Sequence, residues 1–457
     1  MLGKILNNKE KNIELNGDIK IGYEIDNKGK PKKTPVIIPF KDRFLHTLIV
    51  GPCGSGKSSQ LIQPMINQDL QNKDLGITLI EPKGDLSMDV FMMAKYYNRE
   101  VIYFNPILPD CPHINIFEGT DKEVINLLLS SFEPILSKKT KEEKALNGFL
   151  ITMAVEAIKA IYSEKATFIE FNNLINNVDG KGIEIANKLI ETNIKGNIQI
   201  GKWFLNKFLV NEDKSKYIEI KEIINKIATN KYLGKILSLP ENANDTIDFD
   251  ESIKNGKVLI FNTEHGSTRD LGYYLGQFII NKYSLSALKI EDKKPNICYI
   301  DEFQIYKGES IVNLLTLGRS YNVSINLSIQ SNRLLEDNKI IMDCILNNTR
   351  NKIVLSGISN KDAIYYSKLF TEISDNYFER LDKKSAHKIK TTKESVVTKL
   401  LKTALIYRPF GQATYSIINN NEIICPGILQ IRYIDKELND IINNMITEWN
   451  SKYLNEK

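Results

Sequence analysis

In the stretch Gly51-Pro52-Cys53-Gly54-Ser55-Gly56-Lys57-Ser58, two glycines five positions apart precede a lysine and a hydroxyl residue. That spacing suits a loop of bare backbone wrapped round a phosphate, with the free N–H groups of a following helix aimed at it. Lys57 would neutralise the β- and γ-phosphates, and the Ser58 hydroxyl would ligate Mg2+. Gly51, Pro52, Cys53, Gly54, Ser55, Gly56, Lys57, Ser58 and Ser59 are therefore the candidate nucleotide-binding residues. A second segment, Asn296-Ile297-Cys298-Tyr299-Ile300-Asp301-Glu302, runs from mainly apolar residues into two acids. It reads as a buried strand delivering carboxylates at its end: Asp301 to the Mg2+ shell, Glu302 to polarise an attacking water. An exposed acidic strand end is common in any protein, but beside a phosphate loop it is the lesser reading. The second acid favours hydrolysis over transfer to another substrate.

Two further residues fit that chemistry less specifically. Gln330 closes the apolar run 325–329, where it could contact a γ-phosphate or position water; a strand-capping role fits equally well. Arg319, in Leu317-Gly318-Arg319-Ser320-Tyr321, could reach a phosphate held by a neighbouring subunit, and Arg350 is a second candidate. Taken singly, each is more often a surface or ion-pair arginine.

The elements that must position these groups show as changes of period. Short β-like pieces at 13–15 and 19–23 form an expected β extension over 1–43. Apolar, β-branched runs at 44–51, 76–82 and 101–105 alternate with helical patterns from 57 and near 86–97, which predicts parallel crossovers. From 121 to 240 the apolar residues recur at helical spacing with few strand signals, predicting an all-α insertion. Strand patterns return at 258–262, 297–301, 324–330 and 352–356, with a helix at 267–290. Residues 404–434 read as short strands with turns at Pro409-Phe410-Gly411 and Cys425-Pro426-Gly427, and a last helix fits 435–449. The expected fold class is α/β: a RecA-like nucleotide-binding domain with a parallel central sheet (44–120 and 241–434), interrupted by an inserted all-α domain (121–240), with a C-terminal helix and tail (435–457).

Composition narrows the function classes. Lys plus Arg total 61 against 56 Asp plus Glu, so the net charge of +5 permits a local nucleic-acid patch without arguing for one. Lysine runs such as Lys138-Lys139 and Lys383-Lys384 read as solvated surface. Cys53, Cys111, Cys298, Cys344 and Cys425 show no C-x-x-C spacing, so they are expected to be small buried residues in a reducing cytosol, not zinc ligands. His46, His113, His265 and His387 are scattered, and none is assigned to metal. A membrane-spanning helix needs about 20 apolar residues, and the best stretch, 144–156, is shorter.

Together these residues resemble the type IV coupling proteins of bacterial conjugation, the TraG/TraD kind, within the FtsK/HerA superfamily of hexameric motors. The resemblance runs over about 45–434. Glu81-Pro82-Lys83-Gly84-Asp85 is similar to that family's Asp-Pro-Lys-Gly-Glu turn with its acids exchanged, and Ile300-Asp301-Glu302-Phe303 to its Leu-Asp-Glu-Phe strand end. Gly318-Arg319-Ser320-Tyr321 followed by Gln330-Ser331 is similar to its Gly-Arg-Gly-Tyr…Gln-Ser segment. The family's Asn-Pro after the third strand is matched to Asn115-Ile116.

The resemblance implies an ATP hydrolase using Mg2+, a homo-hexamer with nucleotide at subunit interfaces, and Arg319 as a finger across them. It implies recruitment of relaxase-bound single-stranded DNA to a type IV secretion channel, and help in translocating it. Because the family's N-terminal membrane anchor is missing here, a cytoplasmic protein docked at the inner membrane face by a membrane-anchoring partner is expected. Two alternatives stand beside this: an ATP-switched recruitment module that does not pump, and a general double-stranded DNA translocase or packaging motor of the same superfamily.

Overall fold

A computed structural model of the chain describes residues 17–26, 29–210, 215–242, 245–381 and 393–455. The strand-like piece at 13–15, Lys383-Lys384 and His387 lie outside the described residues.

One sheet of 11 strands organises the molecule. In chain order the strands are β1 (Ile19–Ile25), β2 (Pro31–Ile38), β3 (Thr47–Val50), β4 (Gly76–Glu81), β5 (Val101–Phe104), β6 (Val258–Asn262), β7 (Asn296–Ile300), β8 (Val323–Ile329), β9 (Asn351–Leu355), β10 (Gln412–Asn419) and β11 (Glu422–Gln430). In space they run β2-β1-β11-β10-β9-β3-β8-β7-β4-β6-β5. From β9 to β5 every pairing is parallel; from β9 to β2 every pairing is antiparallel.

Every residue of β3, β6, β7, β8 and β9 is buried, as a sheet covered on both faces requires. Alternation within β3 divides the two cores. Leu48 and Val50 join the face packed on the helical insertion, while Ile49 joins the face covered by the helices Gln63–Leu70, Asp85–Tyr96 and Lys436–Asn455. β1 and β2 extend the antiparallel edge of this sheet.

Between Asp121 and Ile236 the elements among the described residues are all helices, joined by turns, without a strand. Thr120 and Thr140 start the helices Asp121–Ser131 and Lys141–Tyr162. Each hydroxyl accepts the N–H three residues on, and Glu123 and Glu143 reciprocate by accepting the threonine N–H. The insertion shares its core with the sheet through Phe132 and Phe168, which pack against Phe278 of the helix Leu271–Ala287. The helix Lys141–Tyr162 corrects the expectation drawn from 144–156: by length and composition it, with the turn to Lys165, could cross a bilayer. In the fold Leu150, Ile151, Ala154, Val155 and Ile158 are buried in the insertion's core.

The C-terminal part has the expected strands and the turn at Phe410-Gly411, but its start at 404–407 is helical and its second turn lies elsewhere. Helices Asn360–Leu381 and Lys393–Tyr407 precede β10, and the hairpin turn is Asn420-Asn421, with β11 running through Cys425-Pro426-Gly427. Both turn asparagines take positive φ, 53° and 70°, which asparagine tolerates and which suits the twist of a tight hairpin. β5 ends at Phe104, so Asn105-Pro106 is the pair directly after the third strand of the core, in place of Asn115-Ile116.

Candidate active site

β3 ends at Val50 and the chain turns through Gly51 to Gly56 into a helix that starts with π-type turns (Lys57–Ile62) and continues as Gln63–Leu70. A Cβ at Gly51 would lie 2.7 Å from Ser55 Oγ and 2.9 Å from Leu355 Cβ, so the turn has no room for one. At Gly56 the constraint is conformational, with φ 90°. The Ser55 hydroxyl is buried without a partner.

Lys57 Nζ donates to Gly51 O at 2.7 Å and Pro52 O at 3.2 Å, inside the loop. Burial lowers its pKa, against the attraction of Glu302 and Asp301.

β7 lies two strands from β3 and delivers both acids at its carboxyl end. Ser58 Oγ donates to Asp301 Oδ2 at 2.7 Å. Asp301 Oδ1 accepts the Ser328 hydroxyl and the Glu302 N–H. Glu302 turns the backbone sharply, with φ 51°, and its carboxylate is buried. Its Oε1 is 3.9 Å from Lys57 Nζ and 3.2 Å from Lys83 Nζ. Its Oε2 accepts Gln330 Nε2 at 2.7 Å and the Gln304 amide. Burial pushes the Glu302 carboxyl up, but Lys57, the two amide hydrogen bonds and Lys83 outweigh it and hold the pKa below the ordinary value. Glu302 is thus ionised and its orientation fixed.

Strand order explains the convergence. β8 lies between β3 and β7, which places Gln330 between the loop and the acids; β4 lies on the other side of β7 and supplies Lys83. A cavity of about 230 Å3 opens between the loop, Lys83, Asp85, Asp89 and Glu302. Two ammonium groups, an orphaned hydroxyl and open loop backbone fit an anionic phosphate chain. The hard oxygens of Ser58 and Asp301 fit Mg2+.

Arg319 is not brought to this cavity. It is exposed in the turn Gly318–Tyr321, before β8, whereas Gln330 follows that strand's far end. A seven-residue strand spans about 23 Å at roughly 3.3 Å per residue. Arg350 is also exposed, directly before β9, at the same end of the sheet.

The cysteine expectation is corrected in part. Cys111 and Cys298 are buried, but Cys53 is exposed on the outer turn of the loop and lines the cavity, and Cys344 is half-buried. His46 is structural: its Nδ1 accepts the Ile325 N–H at 3.1 Å, and burial lowers its pKa to about 4. Sequence reasoning assigned no role to Gln304, Ser328, Lys83, Asp85 or Asp89. The first two give no signal, since polar residues near an acidic strand end are commonplace; the last three fall within or just after the Glu81–Asp85 turn.

Residues 295–408 match the family model described as the TraM recognition site of TraD and TraG. No curated protein matches the sequence. Among solved structures, the unbound bacterial conjugative coupling protein TrwBdeltaN70 is similar at 15% identity, covering 91% of this chain and 93% of that one, with a TM-score of 0.58. The plasmid coupling protein TrwB in complex with the GTP analogue GDPNP is similar at 15% identity, covering 91% and 94%, with a TM-score of 0.57. VirB4 of Thermoanaerobacter pseudethanolicus is similar at 12% identity, covering 91% and 96%, with a TM-score of 0.52. These likenesses establish the fold class, an α/β core on a mostly parallel sheet.

Proposed function

We propose that this chain, of the TraG/TraD coupling-protein kind by its matched segment and its TrwB-like fold, is an ATP-driven coupling protein of conjugative transfer. It brings single-stranded DNA with its bound relaxase to a type IV secretion channel and helps drive the strand through. The observation that carries the enzymatic part is the meeting of Lys57 and Glu302 at 3.9 Å, beside the Ser58–Asp301 hydrogen bond. TrwB is described in complex with the non-hydrolysable ATP analogue ADPNP, and with ADP and Mg2+, which supports the same ligands here.

The roles follow from position. The loop backbone and Lys57 bind the phosphate chain. Ser58 and Asp301 would hold Mg2+, which when bound draws charge off the phosphates. Glu302 takes the proton of the attacking water, and Gln330 and Gln304 fix the carboxylate that does so. Arg319 sits too far from its own chain's cavity to serve it, which supports a role in trans within a homo-hexamer. A TraM-like relaxosome component docking on 295–408 would add recruitment to pumping, with other secretion components and a membrane-anchoring partner holding the protein at the inner membrane face.

The test is steady-state ATP hydrolysis with and without single-stranded DNA over a range of protein concentrations. Stimulation that grows with concentration supports a DNA-driven oligomeric motor. Hydrolysis indifferent to DNA at every concentration supports the ATP-switched recruitment module instead. Stimulation by duplex alone supports the general double-stranded translocase.

A further inference from the structure

We propose that Lys83 is a second phosphate-contacting residue of this site: it pairs with Glu302, and exchanges that carboxylate for the terminal phosphate of a bound nucleoside triphosphate. The inference rests on the ATPase reading above.

The turn that carries Lys83 is fixed from below. The Glu81 carboxylate, at the end of β4, accepts the N–H groups of Lys83 at 2.8 Å, Gly84 at 2.6 Å and Ser87 at 3.0 Å. Gly84 takes φ 99°, and a Cβ there would come within 3.0 Å of Asn262 Nδ2. Backbone mobility at this point is therefore small. The Lys83 side chain is the opposite case: 54% of it is exposed, on a flexible four-carbon stem.

Its ammonium nevertheless reaches inward, 3.2 Å from Glu302 Oε1, the oxygen that also lies 3.9 Å from Lys57 Nζ. Two cations thus converge on one carboxylate oxygen at the wall of the phosphate cavity. Glu302 does not need Lys83 for orientation, because Gln330 and Gln304 already hold its other oxygen. The other charged residues lining the cavity, Asp85 and Asp89, are acidic, and Asp301 beyond the lining also attracts Lys83, so its ammonium is drawn inward whether or not it touches Glu302. A terminal phosphate carries more charge than a carboxylate and offers three oxygens, so it competes for both ammonium groups. A nucleoside diphosphate lacks that group, so Lys83 discriminates triphosphate from diphosphate. Moving Lys83 also releases one of the cations that restrain Glu302 as a base.

The experiment measures Kd for fluorescent ADP and for a fluorescent non-hydrolysable ATP analogue, both with Mg2+, on the full chain and its Lys83→Ala, Lys83→Arg and Lys57→Ala variants. Because Lys83 is half exposed, its replacement spares the core. Lys83→Ala is expected to weaken the triphosphate analogue by about tenfold or more while ADP changes less than about twofold, the loss of one charge-assisted contact. Lys83→Arg should recover part of that preference. Equal loss of both nucleotides, or loss of neither, would overturn the role of Lys83 while leaving the ATPase reading intact, provided Lys57→Ala still loses both. A wild-type chain that binds neither nucleotide would overturn the ATPase reading itself, and this one with it.

Discussion

Two lysines and one glutamate meet at the cavity. Lys57 is buried with its ammonium satisfied by Gly51 O and Pro52 O, so the loop is already folded round the charge it uses. Lys57→Ala should weaken ATP binding by about tenfold or more, since a charge-assisted contact is lost from a low-dielectric site, and turnover should vanish; equilibrium nucleotide titration checks this. Nearby, Asp89 accepts Gln63 Nε2 at 2.9 Å, and burial together with Asp85 pushes its pKa up from 3.8 to about 6. The sign follows from linkage: a raised carboxyl favours the protonated form in the fold, so ionisation costs stability as pH rises from 4 to 6. Asp89→Asn should therefore melt close to wild type at pH 4 and measurably above it at pH 7. A constant difference across that range in thermal melts would contradict the assignment.

At the scale of elements, the sheet is held together beneath the loop by a buried bidentate pair. Arg43 Nη1 and Nη2 donate to the two Asp69 oxygens, each at 2.7 Å, and Tyr299 OH of β7 donates to Asp69 at 2.6 Å. This joins the residues before β3, the end of the helix Gln63–Leu70 and the strand carrying Asp301. Asp69→Ala leaves the guanidinium buried without its carboxylate, and should cost about 3–5 kcal/mol in urea unfolding. A cost below about 1 kcal/mol would mean that water reaches Arg43. The pair was invisible in the sequence, since nothing local links positions 43, 69 and 299. The strands β3 to β9 were legible because sheets buried on both faces leave continuous apolar runs, and the phosphate loop because its spacing is rigid. The hairpin β10–β11 was placed around the wrong turn because proline and glycine at Cys425-Pro426-Gly427 gave a stronger local signal than Asn420-Asn421. Strand order was not legible at all, and it is strand order that brings Lys83 and Gln330 to opposite sides of Glu302.

At the scale of the whole molecule, the two ends of the sheet carry different groups. The phosphate cavity lies at the carboxyl ends of the strands, while Arg319 and Arg350 are exposed at the amino ends of β8 and β9, on either side of β3. In the proposed ring of subunits, apposing these ends would complete each cavity with a neighbour's arginine. Arg319→Ala should then bind nucleotide normally but turn over slowly. Mixed with Lys57→Ala subunits, it should regain activity, because one subunit type keeps an intact cavity and the other an intact arginine. Mixtures no more active than the sum of their parts would remove Arg319 from catalysis in trans. The helical insertion shares its core with the sheet through Phe132, Phe168 and Phe278, so a partner docked on the helices is mechanically joined to the strands that carry the acids.

The most direct test of the account is single-turnover hydrolysis of prebound ATP by the wild type and Glu302→Gln, with Mg2+ and single-stranded DNA. Glutamine keeps the shape of Glu302 and can still hydrogen-bond Gln330, but cannot take a proton from water. The variant should retain ATP with affinity near wild type and hydrolyse it at least about a hundredfold more slowly. Hydrolysis at the wild-type rate would show that the water is activated elsewhere, and that the Lys57–Glu302 cavity is not the engine of this protein.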